Sequence, residues 1–244
     1  MKDLDRLETL RERYGWLRPG WAPATAVYQG RVAKRLAPDV RVLDLGCGRG
    51  GIVERLGDRG HWVGADPDLP SLREHRVSAL PRTCAHSRRL PFPAATFDVV
   101  VASWVLEHLA TPEETFGEIA RVLRPRGGFF FLTPNARHPL PRLSRVLAQS
   151  RARGSRWRLQ SAIVKWIYGR ASADTFPVVY RANTVQDIER LGVMAGLRVR
   201  EIALIEDPSY FASGGMPLAL AIALEGLFPA SWRVHLVGEL WKPD

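Results

Sequence analysis

The stretch RVLDLGCGRG, residues 41–50, constrains the chain more than any other. A short apolar run ends in Asp44 and Leu45 and passes at once into Gly46, Gly48 and Gly50. Such a run is short for a helix and reads as a buried strand, Arg41 to Leu45. The alternating glycines tolerate positive φ and let a ligand approach bare backbone. A helix then runs through Leu56 and stops near Gly57 and Gly60. At the carboxyl edge of a parallel sheet, the first strand-to-helix turn aims backbone N–H groups at a nucleotide-like ligand.

The rest of the chain continues the alternation of apolar runs and helical stretches, the pattern of βαβ units. Strands are expected at His61 to Ala65, Arg82 to Ala85, Phe97 to Ser103, in GFFFLTPN, around Val199 to Ile205 and in WRVHLVGEL. The last two read as a hairpin pair closing a seven-stranded, mostly parallel sheet with helices on both faces. Leu4, Leu7 and Leu10 sit at helical spacing in an N-terminal helix. TPEETFGEIARVLRPRGG has Thr111 as N-cap, Pro112 at the first helical position and Glu113 and Glu114 in the first turn. A further helix is expected from Val185 to Ala195. One domain accounts for 1–244: a helical cap at 1–39, a ligand-binding core at 40–136, a helical lid insertion at 137–183, and the end of the sheet at 184–244 with an apolar insertion at 207–230.

Composition narrows the function classes. The N-terminus is charged and lacks the apolar core of a signal peptide, and no uncharged run reaches membrane-span length, so a cytoplasmic protein is expected. Cys47 and Cys84 form neither a metal-ligand spacing nor a disulfide framework. No metal is expected. The net charge of +10 invites a polyanion, yet only four of the basic residues are Lys, a bias that coding composition alone can produce.

Gly46, Gly48 and Gly51 also satisfy G-x-G-x-x-G, so the turn alone does not separate ligands. The acids do more. A carboxylate at Asp44, inside the strand end, repels pyrophosphate and favours a cationic ligand. Asp66, at the end of the second strand, is placed to accept both hydroxyls of a ribose. A capping role for Asp44, or Asp68 as the ribose ligand, are the competing readings.

These residues resemble the class I S-adenosylmethionine-dependent methyltransferases, in particular the type 11 branch. VLDLGCGRGG, VGADPD, LPFPAATFDVVVASWVLEHL and EIARVLRPRGGFFFLTPN stand in that family's order between about Val40 and Asn135. The resemblance implies a Rossmann-like fold, S-adenosyl-L-methionine as methyl donor and S-adenosyl-L-homocysteine as product. It places Asp44, Gly46 and Gly48 around the methionine part, Asp66 at the ribose, and the residues before the strand-four approach, His86, Ser87 and Arg88, at the adenine, with Cys47, Pro67 and Ser103 as further cofactor-binding candidates. Where the family usually has an Asp, four residues before Leu90, this chain has His86, which leaves adenine to the backbone or Ser87.

Transfer from a sulfonium needs mainly positioning, with a base where the acceptor must lose a proton. His108 and Tyr180 are the candidate catalytic residues; Tyr14, Trp16, Trp104, His108, Tyr180 and Arg181 are candidates for the acceptor side. Glu107 and His108 are adjacent on a helical stretch and are not expected to face each other. The Arg- and Trp-rich stretch 142–170 admits an RNA-binding stripe, a peripheral membrane contact or a solvated face. A small-molecule, glycan or lipid-linked acceptor is the leading expectation, with an RNA methyltransferase and a non-catalytic cofactor-binding partner subunit as alternatives.

Overall fold

The computed structural model describes residues 2–142, 177–213 and 215–244; the two Arg- and Trp-rich helices expected in the insertion lie almost wholly outside these. Strands β1 (Arg41–Leu45), β2 (His61–Asp66), β3 (Arg82–Cys84), β4 (Phe97–Ser103), β5 (Leu123–Pro134), β6 (Arg198–Ile205) and β7 (His235–Trp241) form one sheet. Its order is β3-β2-β1-β4-β5-β7-β6. The first five strands run parallel, and β7 lies antiparallel between β5 and β6.

Period-two alternation sorts the central strands onto two cores. Val100, Ala102, Phe129 and Phe131 pack on one face with Phe116 and Ile119 of α5 (Pro112–Val122) and Ile188 and Leu191 of α6 (Val185–Met194). Val99, Val101, Phe130 and Leu132 pack on the other with Tyr28 and Val32 of α2 (Ala24–Ala33). Because both faces are covered, these strands read as continuous apolar runs rather than as an alternation with polar residues. Phe131 leaves no room on the neighbouring strand: a Cβ on Gly238 would lie 2.1 Å from its Cζ.

The helix ends follow local chemistry. Thr111 occupies the N-cap position of α5 without a side-chain bond, while Thr184 caps α6 by accepting from the Asp187 N–H at 3.1 Å. Sequence periodicity missed α2, α3 (Val53–Leu56) is a single turn, and β5 starts five residues before the expected Gly128. Leu123 pairs with Phe97 before an irregularity at Arg126, where φ is +64°, re-sets the register to Val99 against Gly128.

Over the carboxyl end of β6 and the amino end of β7 lies a small cap. It comprises α1 (Lys2–Leu17), α7 (Ser209–Ser213) and α8 (Leu218–Gly226), packed through Leu140, Phe211, Ala212 and Ala221. Among the described residues no helix is long and apolar enough to cross a membrane.

Candidate functional site

The strand-to-helix turn after β1 takes the conformation that its glycines permit. Gly46, Gly48 and Gly50 have φ of +75°, +48° and +130°, a region that side chains rarely adopt. Gly46 is required for a second reason: a Cβ there would lie 2.3 Å from Val105 Cγ2. Its N–H donates to Ala65 O at 2.7 Å, which ties the turn to β2.

Two buried carboxyls flank this turn. Asp44 accepts no hydrogen bond from a described residue, and burial, reinforced by the charge of Asp66, raises its pKa to about 7. Tyr28 Oη is buried and also without a partner among the described residues, and burial, followed by the charge of Asp44, raises its pKa. Asp66 accepts the Gly48 N–H at 2.9 Å on one oxygen and the Asp68 N–H at 2.8 Å on the other. Burial raises its pKa, and these two bonds partly offset the effect. Asp68 is engaged in capping α4 (Leu69–Arg73), accepting from the Ser71 N–H at 3.1 Å. Cys47 is buried, and its thiol is pushed up to about 12 by burial and then by the charges of Asp44 and Asp66, so it is not a thiolate at neutral pH. Pro67 O accepts from the Cys84 thiol at 3.5 Å.

The segment after β3 is anchored to α5. Ser87 Oγ lies 3.0 Å from Thr115 Oγ1, while His86 and Arg88 are exposed. Glu118 accepts the Leu90 N–H at 2.7 Å, and Arg121 donates to Phe92 O at 2.7 Å and to Leu90 O at 3.1 Å. Glu118 and Arg121 therefore set this loop, a role that sequence reasoning missed because both look like ordinary charges on an amphipathic helix.

At the end of β4, Ser103 is half-buried and Trp104 takes φ +60°, with its N–H donating to Leu132 O at 2.9 Å. A short 3-10 turn follows, Leu106–His108. On this tighter turn His108 Nε2 comes within 3.9 Å of Glu107 Oε1, closer than α-helical geometry suggested. His108 Nδ1 lies 3.0 Å from Pro177 O. The Glu107 carbonyl accepts both Val179 and Tyr180 N–H groups, and its buried carboxyl accepts from Thr133 Oγ1 at 3.0 Å. Asn183 donates in turn to Thr133 Oγ1 at 2.6 Å, and Arg181 to Ala110 O at 2.5 Å. Residues 177–183 are thus bound to the β4–β5 edge, with Tyr180 buried at φ +53°.

Tyr14 is also buried, but against the far strands. Its hydroxyl donates to Glu206 Oε1 at 2.7 Å, and burial followed by that bond pushes its pKa up to about 12. Trp16 is 87% exposed on the same helix. The structure therefore separates two aromatic candidates that the sequence placed side by side.

A seven-stranded sheet with this strand order, a glycine turn after β1 and an acid ending β2 are the arrangement expected of the class I S-adenosylmethionine-dependent methyltransferase fold. Residues 43–131 match the family model described as a methyltransferase domain. The chain is 38% identical over 104 residues to a demethylmenaquinone methyltransferase of Corynebacterium urealyticum, covering 41% of this chain and 45% of that one. It is 30% identical over 132 residues to a fatty-acid O-methyltransferase of Mycolicibacterium smegmatis, covering 51% of this chain and 48% of that one. The chain thus matches about half the length of these curated relatives. In fold it is similar to an S-adenosylmethionine-dependent methyltransferase from Mesorhizobium loti, with a TM-score of 0.61 at 16% identity over 91% of this chain and 99% of the other.

Proposed function

We propose that this chain transfers a methyl group from S-adenosylmethionine to a small-molecule or lipid-linked acceptor. The observation that carries the reading is Asp44, a buried carboxyl beside a positive-φ glycine turn, with a second buried acid at the tip of the adjacent strand. A carboxyl raised to about 7 is relieved by a cation, and the bound donor supplies one together with an activated methyl group. The chain's own residues hold and orient. Asp44 and the backbone of Gly46 and Gly48 face the methionine portion. Asp66 has used one acceptor site on each oxygen and keeps others for two ribose hydroxyls. His86, Ser87 and Arg88 edge the adenine side, on a loop fixed by Glu118 and Arg121. His108 and Tyr180, both joined to the β4 edge, border the acceptor.

Relatives named for demethylmenaquinone and fatty acid support a small, apolar acceptor rather than RNA. The apolar helix α8, with Leu220 exposed on it and Leu227 exposed just after it, supports a lipid-linked acceptor met at a membrane surface by a cytoplasmic protein. Titration calorimetry with S-adenosylmethionine and S-adenosylhomocysteine tests the reading. Both should bind the wild type, and Asp66→Ala should weaken both by about a hundredfold, the loss of two charge-assisted hydrogen bonds. A wild type that binds neither compound overturns it.

A further inference from the structure

His235 opens β7, paired with Pro134 of β5 and Ile205 of β6, so it stands on the same sheet edge as the glycine turn. Three inter-strand steps, about 14 Å, separate it from β1. Its ring is buried, and Nε2 lies 3.2 Å from the Tyr210 hydroxyl. Nδ1 has no hydrogen-bond partner among the described residues. Among its immediate neighbours Leu236 and Val237, a buried imidazole with one nitrogen unpaired meets no packing need.

Aromatic groups frame this nitrogen. Trp104 meets the imidazole edge-to-face at 5.3 Å, and Tyr210 meets it at 5.4 Å. Trp104 is held in a left-handed backbone conformation, a strain that functional sites retain when neighbours enforce it. The same turn seats Val105 on Gly46, so one irregular turn joins the cofactor loop to the ring beside His235. Trp104 is 36% exposed, so one side of this aromatic cluster faces outward.

The charges facing the imidazole come from three elements: Arg11 of α1, Asp207 after β6 and His138 after β5. Arg11 and Asp207 pair at 2.7 Å, so their charges largely offset and the surroundings suit an uncharged polar group. Burial holds the imidazole neutral, with its pKa lowered to about 4.

We propose that Trp104, His235 and Tyr210 form the acceptor subsite, in which His235 Nδ1 accepts a hydrogen bond from the hydroxyl of a flat, ring-bearing acceptor lying against Trp104. This deepens the methyltransferase reading and takes the word acceptor from it. Nε2 is engaged with the Tyr210 hydroxyl, and the proposal assigns the tautomer with the proton on Nε2, which leaves the Nδ1 lone pair for the incoming O–H. His235 is then a specificity residue, because a ring without the hydroxyl leaves Nδ1 unpaired.

The test uses the full chain with S-adenosylhomocysteine present and two probes, 2-naphthol and 2-methoxynaphthalene, which differ in the hydroxyl proton. Equilibrium dialysis should show wild type binding 2-naphthol at least tenfold more tightly. His235→Phe should bring the two probes within twofold, and His235→Asn should restore part of the preference. Trp104→Leu should weaken both alike. In 15N-histidine-labelled wild type, 2-naphthol should shift the His235 Nδ1 resonance and 2-methoxynaphthalene should not, which decides the matter even if His235→Phe fails to fold. Equal binding of the two probes, no binding of either, or a preference that survives His235→Phe overturns the proposal. Calorimetry of S-adenosylhomocysteine on the same protein separates the two readings. Cofactor binding without probe preference defeats the subsite alone, and preference without cofactor binding defeats the methyltransferase reading alone.

Discussion

On the β2–β1 side of the sheet edge, Asp44, Gly46, Gly48, Asp66 and Asp68 come from one short stretch and are joined by local backbone bonds. On the β7–β6 side, the polar groups arrive from opposite ends of the chain: Tyr14 reaches Glu206 across 192 residues and Arg11 reaches Asp207 across 196. Glu206 is further held by Arg18 at 2.5 Å and Arg233 at 3.2 Å. The first region is a loop whose shape is written in its glycines. The second is a docked assembly, held by ion pairs that form only once α1 lies over the sheet. The glycine turn keeps a buried acid without a partner among the described residues, whereas the docked side neutralises its acids with arginines.

The largest effect that sharpens this contrast is expected on the docked side. Arg11→Met strands Asp207, whose side chain is almost fully buried, and should cost about 3 kcal/mol in denaturant unfolding. If the loss stays within a few tenths of a kcal/mol, the cap is not held by that pair.

A comparable but opposite pair of effects lies in pH dependence. Asp44 has a folded-state pKa near 7, above its ordinary value of 3.8, so its contribution is fully present below about 4 and lost as pH rises towards 7. His235 has a folded-state pKa near 4, below its ordinary 6.5, so its contribution is present above 6.5 and lost as pH falls towards 4. The two slopes oppose each other over nearly the same window. Relative to wild type, Asp44→Asn should become progressively more stable, and His235→Phe progressively less so, as pH rises from 4 to 6.5. Unfolding midpoints that run parallel to wild type across that range would remove the contrast between the two regions.

The smallest effect concerns the loop itself. Gly46→Ala must hold a side chain at positive φ against Val105 and should cost about 2 kcal/mol, with cofactor affinity falling in the same variant. Gly51, which completes the G-x-G-x-x-G pattern but has open space around it, should tolerate Ala with little change in either.

Much of the loop side was legible in the sequence because its determinants are local. The run RVLDL, the glycines and the acids of VGADPD state the strand, the turn and the burial of charge within a few residues of one another. Phe97–Ser103 was read with its boundaries intact, since an apolar run flanked by polar residues marks a central strand. The β7–β6 side was legible only as composition. Tyr14 and Trp104 were singled out as aromatic, yet one became a buried brace for Glu206 and the other a half-exposed wall. His235 carried no signal at all, being a lone histidine at the head of an apolar strand.

The sequence by itself determined the sheet's central strands, the conformation of the cofactor turn and the two acids beside it, because short-range sterics and the burial of apolar runs act on neighbours in the chain. Tertiary structure alone decided that Arg11 and Tyr14 neutralise the acids after β6 and that Trp104, Tyr210 and His235 share one corner. Those contacts join residues separated by most of the chain. They depend on where the antiparallel strand β7 and the helices over it settle, and no local preference carries that information.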